Sequence, residues 1–200
     1  MNKIITIGRE FGSGGREFGR RLSEQLGFAY YDQEIISEIS KRTSLSEQYV
    51  QAIVEHRPSF SFPIHIGQSF YALGNPAFEQ TMTVYQEQAR IIKELAAESN
   101  CVIVGRCADH ILKEYKPFRI FVYADMESKM KRCREKGPEE ETLSDKELRQ
   151  KISGIDKKRA KYYEFYTGHP WGDKLNFDLC LNTTQTVVKE MVPVIAKLFC

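Results

Sequence analysis

A glycine-rich stretch near the start of the chain has the composition of a phosphate-binding turn. Four glycines fall within residues 8–15, directly after the β-branched run Ile4-Ile5-Thr6-Ile7. Glycines in such a turn let backbone N–H groups converge on a phosphate, and the following helix N-terminus adds a positive dipole. The alternatives are a tight turn without a ligand and a dinucleotide site, but no G-x-G-x-x-G pattern follows the strand. The glycine content favours phosphate binding.

This stretch departs from the pattern G-x-x-x-x-G-K-[ST] of phosphate-binding loops. Gly15 stands at the lysine position, Glu17 stands at the hydroxyl position, and Arg16 is the nearest cation. We therefore expect phosphates to be bound by the loop and the first residues of the next helix. These residues are Gly12, Ser13, Gly14, Gly15, Arg16 and Glu17.

Asp32 lies at the end of a second predicted strand, residues 28–32. A carboxylate beside a phosphate-binding loop can hold Mg²⁺ or orient an attacking oxygen in phosphoryl transfer. The alternative is an N-cap for the helix that begins near Glu34, because aspartate is a favourable capping residue. The two roles are compatible with each other.

Arg106 and Asp109 follow directly after another predicted strand, residues 101–105. Arginine binds oxyanions with two parallel hydrogen bonds, and a carboxylate accepts a hydrogen bond from an exocyclic amine. The pair could therefore read a phosphate and the amino group of a base together. The alternative is a surface ion pair, but the position at a strand end favours a functional role.

A charged run precedes the aromatic segment 162–171. Five of the eight residues 156–163 are charged, and four of these five are positive. Such a run is usually a solvated helix face. Its position also predicts a mobile lid that closes over a polyphosphate. In that hypothesis Lys158 and Arg159 bring positive charge to the reacting phosphates.

The predicted elements that must position these residues alternate between strands and helices. The other predicted strands, 118–123 and 177–182, are as apolar as the first. Apolar strands that alternate with helices indicate an α/β sandwich of three layers around a parallel five-stranded sheet. Residues 57–77 interrupt this alternation with prolines, glycines and aromatic side chains, which is typical of a binding loop.

Composition limits the classes of function. The 200 residues are enough for a single domain, 1–200, and the net charge of +2 gives no bulk field for nucleic acid or a membrane surface. The five cysteines form no C-x-x-C pair, and the histidines show no metal-ligand spacing with them. The first residues lack the long apolar core of a secretory signal, so we expect a cytoplasmic protein with reduced thiols.

These motifs, in this order, resemble the cytidylate-kinase-like family of bacterial P-loop proteins, and the resemblance covers essentially the whole chain. The matching stretches are residues 5–17, Tyr31-Asp32, Val102-Ile103-Val104-Gly105-Arg106 with Asp109, Asp156-Lys157-Lys158-Arg159 and residues 177–183. Residues 5–17 are the most specific of these, and the other stretches support the resemblance only when they are taken together in this order.

The resemblance implies a P-loop kinase-like fold with an acceptor-binding insert near 33–90 and a lid near 135–172. It implies ATP and Mg²⁺, with phosphoryl transfer to a nucleoside monophosphate, CMP or dCMP. ATP would bind at Gly12 to Glu17, and the acceptor at Arg106 and Asp109. From the residues themselves we expect Glu17 and Asp32 as the metal ligands, and Arg16, Asp32, Lys158 and Arg159 as the catalytic residues.

The chain also departs from that family at four positions. Gly15 and Glu17 replace the P-loop lysine and the Mg²⁺-binding hydroxyl, while Glu38 and Ile155 stand where the kinases carry arginines. Arg16 could supply the missing charge. Two alternative functions therefore remain: a P-loop kinase of another small acceptor, and a non-catalytic nucleotide-binding sensor.

Overall fold

The computed structural model describes residues 2–55, 76–136 and 142–199. Within these ranges five strands form one parallel sheet in the order β2-β3-β1-β4-β5. The predicted parallel five-stranded sheet is confirmed, although the second and fifth strands are shorter than expected. The strands are β1 (Ile4–Arg9), β2 (Ala29–Tyr31), β3 (Cys101–Val104), β4 (Phe118–Tyr123) and β5 (Leu179–Asn182).

The central position of β1 decides where the functional residues meet. Ile4 pairs with Cys101 of β3, and Ile5 pairs with Phe118 of β4. All strands therefore end at one edge of the sheet, which is where ligands bind in open α/β folds. The loop after β1 opens at the middle of that edge.

Helices cover both faces of the sheet and complete the predicted three layers. The helices are α1 (Gly15–Leu26), α2 (Glu34–Thr43), α3 (Glu47–Glu55), α4 (Pro76–Glu98), α5 (Ala108–Ile111), α6 (Met126–Lys136), α7 (Asp145–Thr167) and α8 (Val188–Ala196). On one face, an apolar cluster joins Ile5 and Ile7 to the helices α1 and α8, and on the other face a second cluster joins Ile4 to α2, α3, α4, α5 and α7.

The first helix follows the predicted periodicity. Phe18 and Leu22 are fully buried, and α1 ends at Gly27, whose φ of 67° terminates the helix in the left-handed conformation. The predicted binding loop at 57–77 lies outside the described residues except for its last two positions, which belong to α4. No described helix is both long enough and apolar enough to cross a membrane.

The long charged helix predicted from Asp145 is α7. Ser144 and Glu147 form a reciprocal capping box at its start, which satisfies backbone donors that the first turn leaves unpaired. Leu148 and Ile152 pack into an apolar cluster with α6. This packing fixes which side of α7 faces the loop after β1.

A buried lysine connects that loop to α6 and α7. Lys129 Nζ lies 2.8 Å from Glu10 Oε2 and 2.9 Å from Asp156 Oδ2, and only 7% of its side chain is exposed. Burial opposes its charge, yet the hydrogen bonds with the two carboxylates raise the pKa of Lys129 above the ordinary value. The ammonium group therefore stays charged and holds three parts of the chain together.

We predict that Lys129→Met lowers the free energy of unfolding by about 2 to 4 kcal/mol, because it leaves Glu10 and Asp156 without their buried partner. Urea denaturation at pH 7 measures the change. The matched control is Lys131→Met, which removes an exposed ammonium from the same helix and should cost less than about 0.5 kcal/mol.

The pH dependence provides a second test of the same contact. A raised folded-state pKa means that the contribution of Lys129 is present below the unfolded-state pKa and disappears as pH rises through the folded-state value. The stability difference between the unmodified protein and Lys129→Met should therefore narrow above pH 10.5, the ordinary lysine value. A difference that stays constant into that range would contradict the assigned ion pairs.

Candidate functional site

The loop after β1 forms a glycine turn that leads into α1. Gly12 and Gly14 have φ values of 75° and 83°, and Gly14 is the last residue before α1 begins. A Cβ at Gly12 would lie 2.9 Å from the backbone oxygen of Lys129. Both positions therefore require glycine, for their backbone conformation and, at Gly12, for a close approach to α6.

Ser13 has its side chain directed into the protein. Its hydroxyl donates to the carbonyl oxygen of Glu10 at 2.8 Å, and its own carbonyl oxygen accepts from Thr183 Oγ1 at 2.7 Å. The residue is fully buried. Its backbone N–H also donates to the Glu10 carbonyl oxygen at 3.4 Å, so Ser13 maintains the shape of the turn and does not line the cavity above it.

A cavity of about 660 Å³ opens over this turn. The volume is typical of sites that bind small molecules. Three acidic residues contribute to its walls, against seven basic ones, so the cavity favours an anion. The basic residues are Arg9, Arg16, Arg20, Arg21, Arg132, Lys136 and Arg159.

Asp32 lies among arginines and does not cap a helix. Its Oδ2 is 2.5 Å from Arg16 Nε, and its Oδ1 is 3.7 Å from Arg9 Nη2. The residue before α2 is Gln33, with no capping bond from a side chain. The capping alternative for Asp32 is therefore wrong, and the carboxylate acts as a counter-charge in the arginine cluster.

Asp32 also meets one requirement of a magnesium ligand. Kinases hold Mg²⁺ with one or two carboxylates together with substrate phosphates and water. The Oδ1 atom of Asp32 is buried and has no hydrogen-bond partner among the described residues. This atom fits a magnesium-bound water, although the described residues contain no cluster of three or more ligands that could hold an ion unaided.

Glu17, the other predicted metal ligand, is held by two cations. Its carboxylate pairs with Arg21 at 2.9 Å and with Lys136. Burial works against its charge, but the hydrogen bonds from Lys136 and Arg21 lower the pKa of Glu17. The carboxylate is ionised on the cavity wall, and it would have to share its oxygens with these cations to bind a metal.

Arg106 and Asp109 line a second, smaller cavity of about 50 Å³. Arg106 is 8% exposed, so the surface-ion-pair alternative is wrong. The Tyr163 hydroxyl donates to Asp109 Oδ2 at 2.6 Å and fixes the carboxylate. Burial raises the pKa of Asp109, and the bond from Tyr163 opposes that rise.

The backbone around Arg106 is strained. Gly105, Arg106 and Cys107 have φ values of 74°, 62° and 52°, which is a left-handed conformation at three consecutive residues. Residues other than glycine adopt it only where the surroundings enforce it. Gln88 contributes by donating to the Arg106 carbonyl oxygen at 3.0 Å. Strain of this kind clusters at binding sites.

The charged run on α7 divides into two faces. Asp156 accepts from the backbone N–H of Phe11 at 2.7 Å, and Arg159 donates to the Arg9 carbonyl oxygen at 3.3 Å. Lys157 and Lys158 are exposed. Lys157 and Lys158 therefore lie on a solvent-exposed face of α7, as such charged runs usually do. Asp156 and Arg159 lie on the opposite side and contact the loop after β1. Lys158 is not among the residues that line either cavity.

Sequence reasoning missed three residues of the site: Arg9, Lys129 and Tyr163. Arg9 carried a usable signal, because it is a cation at the carboxyl end of the central strand, three residues before Gly12. Lys129 and Tyr163 carried none, since their partners are distant in the sequence.

We predict that Gly14→Ala weakens ATP binding at least tenfold, because a side chain would distort the turn that we expect to bind the phosphates. A Cβ there would also lie 2.9 Å from Val188 Cγ2. Gly27→Ala is the matched control: it places alanine at a similar φ of 67° in open space. Calorimetry should show ATP affinity within twofold of the unmodified protein for Gly27→Ala. Equal losses in both variants would contradict the phosphate-binding turn.

The comparisons with known proteins identify the family and the fold. The sequence profile of the cytidylate kinase-like family matches residues 4–185. Among curated proteins, none matches the sequence significantly. An uncharacterized protein from Eubacterium ventriosum is 26% identical, with 98% of each chain covered and a TM-score of 0.70.

Two shikimate kinase structures are similar in fold alone. The enzyme from Acinetobacter baumannii, solved with shikimate, is 16% identical over 100% of this chain and 93% of its own, with a TM-score of 0.55. The enzyme from Bacteroides thetaiotaomicron is 14% identical over 98% of both chains, with a TM-score of 0.58. By its family match and its sheet order, this chain belongs to the cytidylate kinase-like family and has the P-loop kinase fold.

Proposed function

We propose that the protein transfers a phosphoryl group from ATP to a nucleoside monophosphate, with CMP or dCMP as the preferred acceptor. The observation that carries this proposal is the arrangement of the two cavities. One lies over the glycine turn and the other beside Arg106 and Asp109, and both are lined by Arg9 and Arg159. The second cavity is too small for a whole nucleotide, so an acceptor would extend beyond it, and its phosphate would meet the donor at the two shared guanidinium groups.

On the donor side, ATP would lie over residues 12–17. The backbone N–H groups at the start of α1 and the positive end of its dipole favour the phosphates. Mg²⁺ would be held through Asp32, with Glu17 as the second predicted ligand, and it would neutralise charge on the phosphate oxygens. Arg16 holds Asp32 and adds positive charge to the cavity wall.

On the acceptor side, Arg106 would bind the monophosphate and Asp109 the base. A guanidinium binds phosphate oxygens with two parallel hydrogen bonds. Tyr163 and nearby backbone N–H groups donate to the Asp109 carboxylate, and an exocyclic amine would donate to one of its remaining lone pairs. Cytosine carries such an amine and uracil does not, so this carboxylate favours CMP over UMP.

The reaction needs no general base when the acceptor is a monophosphate. An oxygen of the acceptor phosphate, already deprotonated near pH 7, bonds to the γ-phosphorus while the bond to the β–γ bridging oxygen breaks. ADP leaves with the electron pair of that bond. The protein contributes position and charge neutralisation. Arg159, which lines both cavities, would take this role, whereas Lys158 would need a movement of α7 to reach the phosphates.

One observation favours a second candidate, a nucleotide sensor without turnover. The lysine and the hydroxyl that phosphate-binding loops use are replaced by Gly15 and Glu17. A chain that kept the cavity and lost these groups could bind ATP and respond to it without catalysis.

A substrate panel separates the candidates. The protein is incubated with ATP and Mg²⁺, and ADP release is measured with CMP, dCMP, UMP, AMP, GMP and shikimate in separate reactions. Turnover with CMP or dCMP above the other acceptors supports the proposal. Turnover with shikimate alone would identify another acceptor class. ATP binding without turnover on any acceptor would favour the sensor and overturn the kinase proposal.

We predict that Arg159→Ala lowers kcat by about 10² to 10³ with little change in acceptor KM, because Arg159 acts on charge that develops in the transition state. The control is Lys157→Ala, which removes an exposed cation from the same helix two residues away and should leave kcat within twofold. Steady-state kinetics with CMP and saturating ATP-Mg²⁺ measure both. If Arg159→Ala raised the acceptor KM and left kcat unchanged, Arg159 would contribute to substrate binding and not to the transition state.

We predict that Asp109→Ala acts mainly on acceptor KM and removes the preference for CMP over UMP. Tyr163→Phe keeps the carboxylate and loses only its fixed orientation, so it should reduce the preference without abolishing it. The measurement is kcat/KM for both acceptors in each variant. A base preference that survives Asp109→Ala would show that another group recognises the base.

A further inference from the structure

The side chain of Arg9 occupies the space that a side chain at position 15 would need. A Cβ at Gly15 would lie 2.5 Å from the Cβ of Arg9 and 3.1 Å from its Cγ. Real Cβ atoms essentially never approach another atom that closely. By the motif pattern, position 15 is where phosphate-binding loops carry their lysine. A lysine there and the arginine at position 9 therefore exclude each other in this backbone.

The guanidinium group of Arg9 extends to the acceptor side of the site. A Cβ at Gly105 would lie 1.8 Å from Arg9 Nη1, so the guanidinium rests directly on the backbone of that glycine. Gly105 precedes Arg106 at the end of β3. The arginine thus spans from the start of α1 to the edge of the second cavity, and it needs a glycine at each end of its path.

The positive charges around Arg9 favour the binding of an anion beside it. Its ion-pair partner among the described residues is Asp32, at 3.7 Å, while Arg159, Arg106 and Arg16 all act on it as like charges. Only 14% of its side chain is exposed. A buried cation among other cations is stable only when a group of opposite charge is close. Asp32 is the carboxylate that Arg9 shares with Arg16, while Arg159 has Asp156 at 3.9 Å.

We propose that Arg9 binds the γ-phosphoryl group during transfer and takes the role that the loop lysine has in other P-loop enzymes. This inference rests on the proposed function. Arg9 would contact oxygens of the γ-phosphate while the acceptor oxygen bonds to phosphorus and the bond to the β–γ bridging oxygen breaks. No proton leaves or joins the guanidinium in this step.

The structure distinguishes Arg9 from Arg16, the cation that sequence reasoning placed in the same role. Arg16 Nε is held 2.5 Å from Asp32, its side chain is half exposed, and it lines the first cavity without lining the second. Arg9 lines both cavities. A group that contacts a phosphoryl group in transit must face the donor and the acceptor, and Arg9 meets that condition.

The test compares Arg9→Ala and Arg9→Lys with the unmodified protein, and Arg90→Ala is the control because it removes an exposed guanidinium from α4. Calorimetry measures the affinities for ATP and ADP, and steady-state kinetics measure kcat with the best acceptor. Thermal unfolding establishes that each variant is folded. Should Arg9→Ala fail to fold, Arg9→Lys carries the same comparison.

We expect Arg9→Ala to weaken ATP binding about tenfold or more and ADP binding less than threefold, because ADP has no γ-phosphate. We expect kcat to fall by about 10² to 10³, the usual effect of losing one charge-stabilising group. Added guanidinium ion should restore part of this kcat. Arg9→Lys should lie between the unmodified protein and Arg9→Ala in both measurements, and Arg90→Ala should change neither.

Equal weakening of ATP and ADP by Arg9→Ala, or a kcat within threefold of the unmodified protein, would overturn the inference. The affinity comparison does not depend on turnover. If the unmodified protein binds ATP and phosphorylates no acceptor, the proposed function fails, and the ATP-to-ADP ratio still decides whether Arg9 contacts the γ-phosphate. The two failures are thereby distinguishable.

Discussion

The buried ammonium group of Lys129 is the contact on which the rest of the site depends. Its two carboxylate partners each hold backbone as well: Glu10 accepts from the N–H of Ala124 at 3.2 Å, and Asp156 accepts from that of Phe11 at 2.7 Å. The ion triad therefore joins the glycine turn to the end of β4 and to α7. Arg159 lies one turn after Asp156 on the same helix, so the bonds that fix the turn also direct this arginine into the cavity.

The absence of a lysine at position 15 has a steric cause as well as an electrostatic one. Because the Arg9 side chain crosses the backbone at Gly15 and ends on Gly105, both positions must lack a side chain. Gly15, at the lysine position, is thus part of the packing of Arg9. The phosphate-binding loop lacks its lysine, and Arg9 at the end of β1 brings a positive charge to the same place. A larger residue at either glycine would displace the arginine.

The sequence predicted the elements well because they depend on local patterns. Short β-branched runs identified the parallel strands, and the glycine turn between β1 and α1 was located from composition. The orientation of α7 was beyond such reasoning: Arg159 and Lys158 are adjacent cations, and only packing against α6 shows that the first faces the cavity. The contact of Lys129 with Glu10 spans more than a hundred residues, so no local signal predicts it.

The charge balance of the site links its stability to its ligand. Arg9 and Arg16 share the carboxylate of Asp32, and Arg106 and Arg159 add further positive charge around them. Buried like charges destabilise the folded chain, and proteins commonly lose stability to such arrangements at functional sites. A ligand with several negative charges removes that repulsion when it binds. The excess of guanidinium groups therefore lowers the stability of the ligand-free protein and strengthens its binding of a polyphosphate. A tighter-binding ligand raises the free energy of unfolding more.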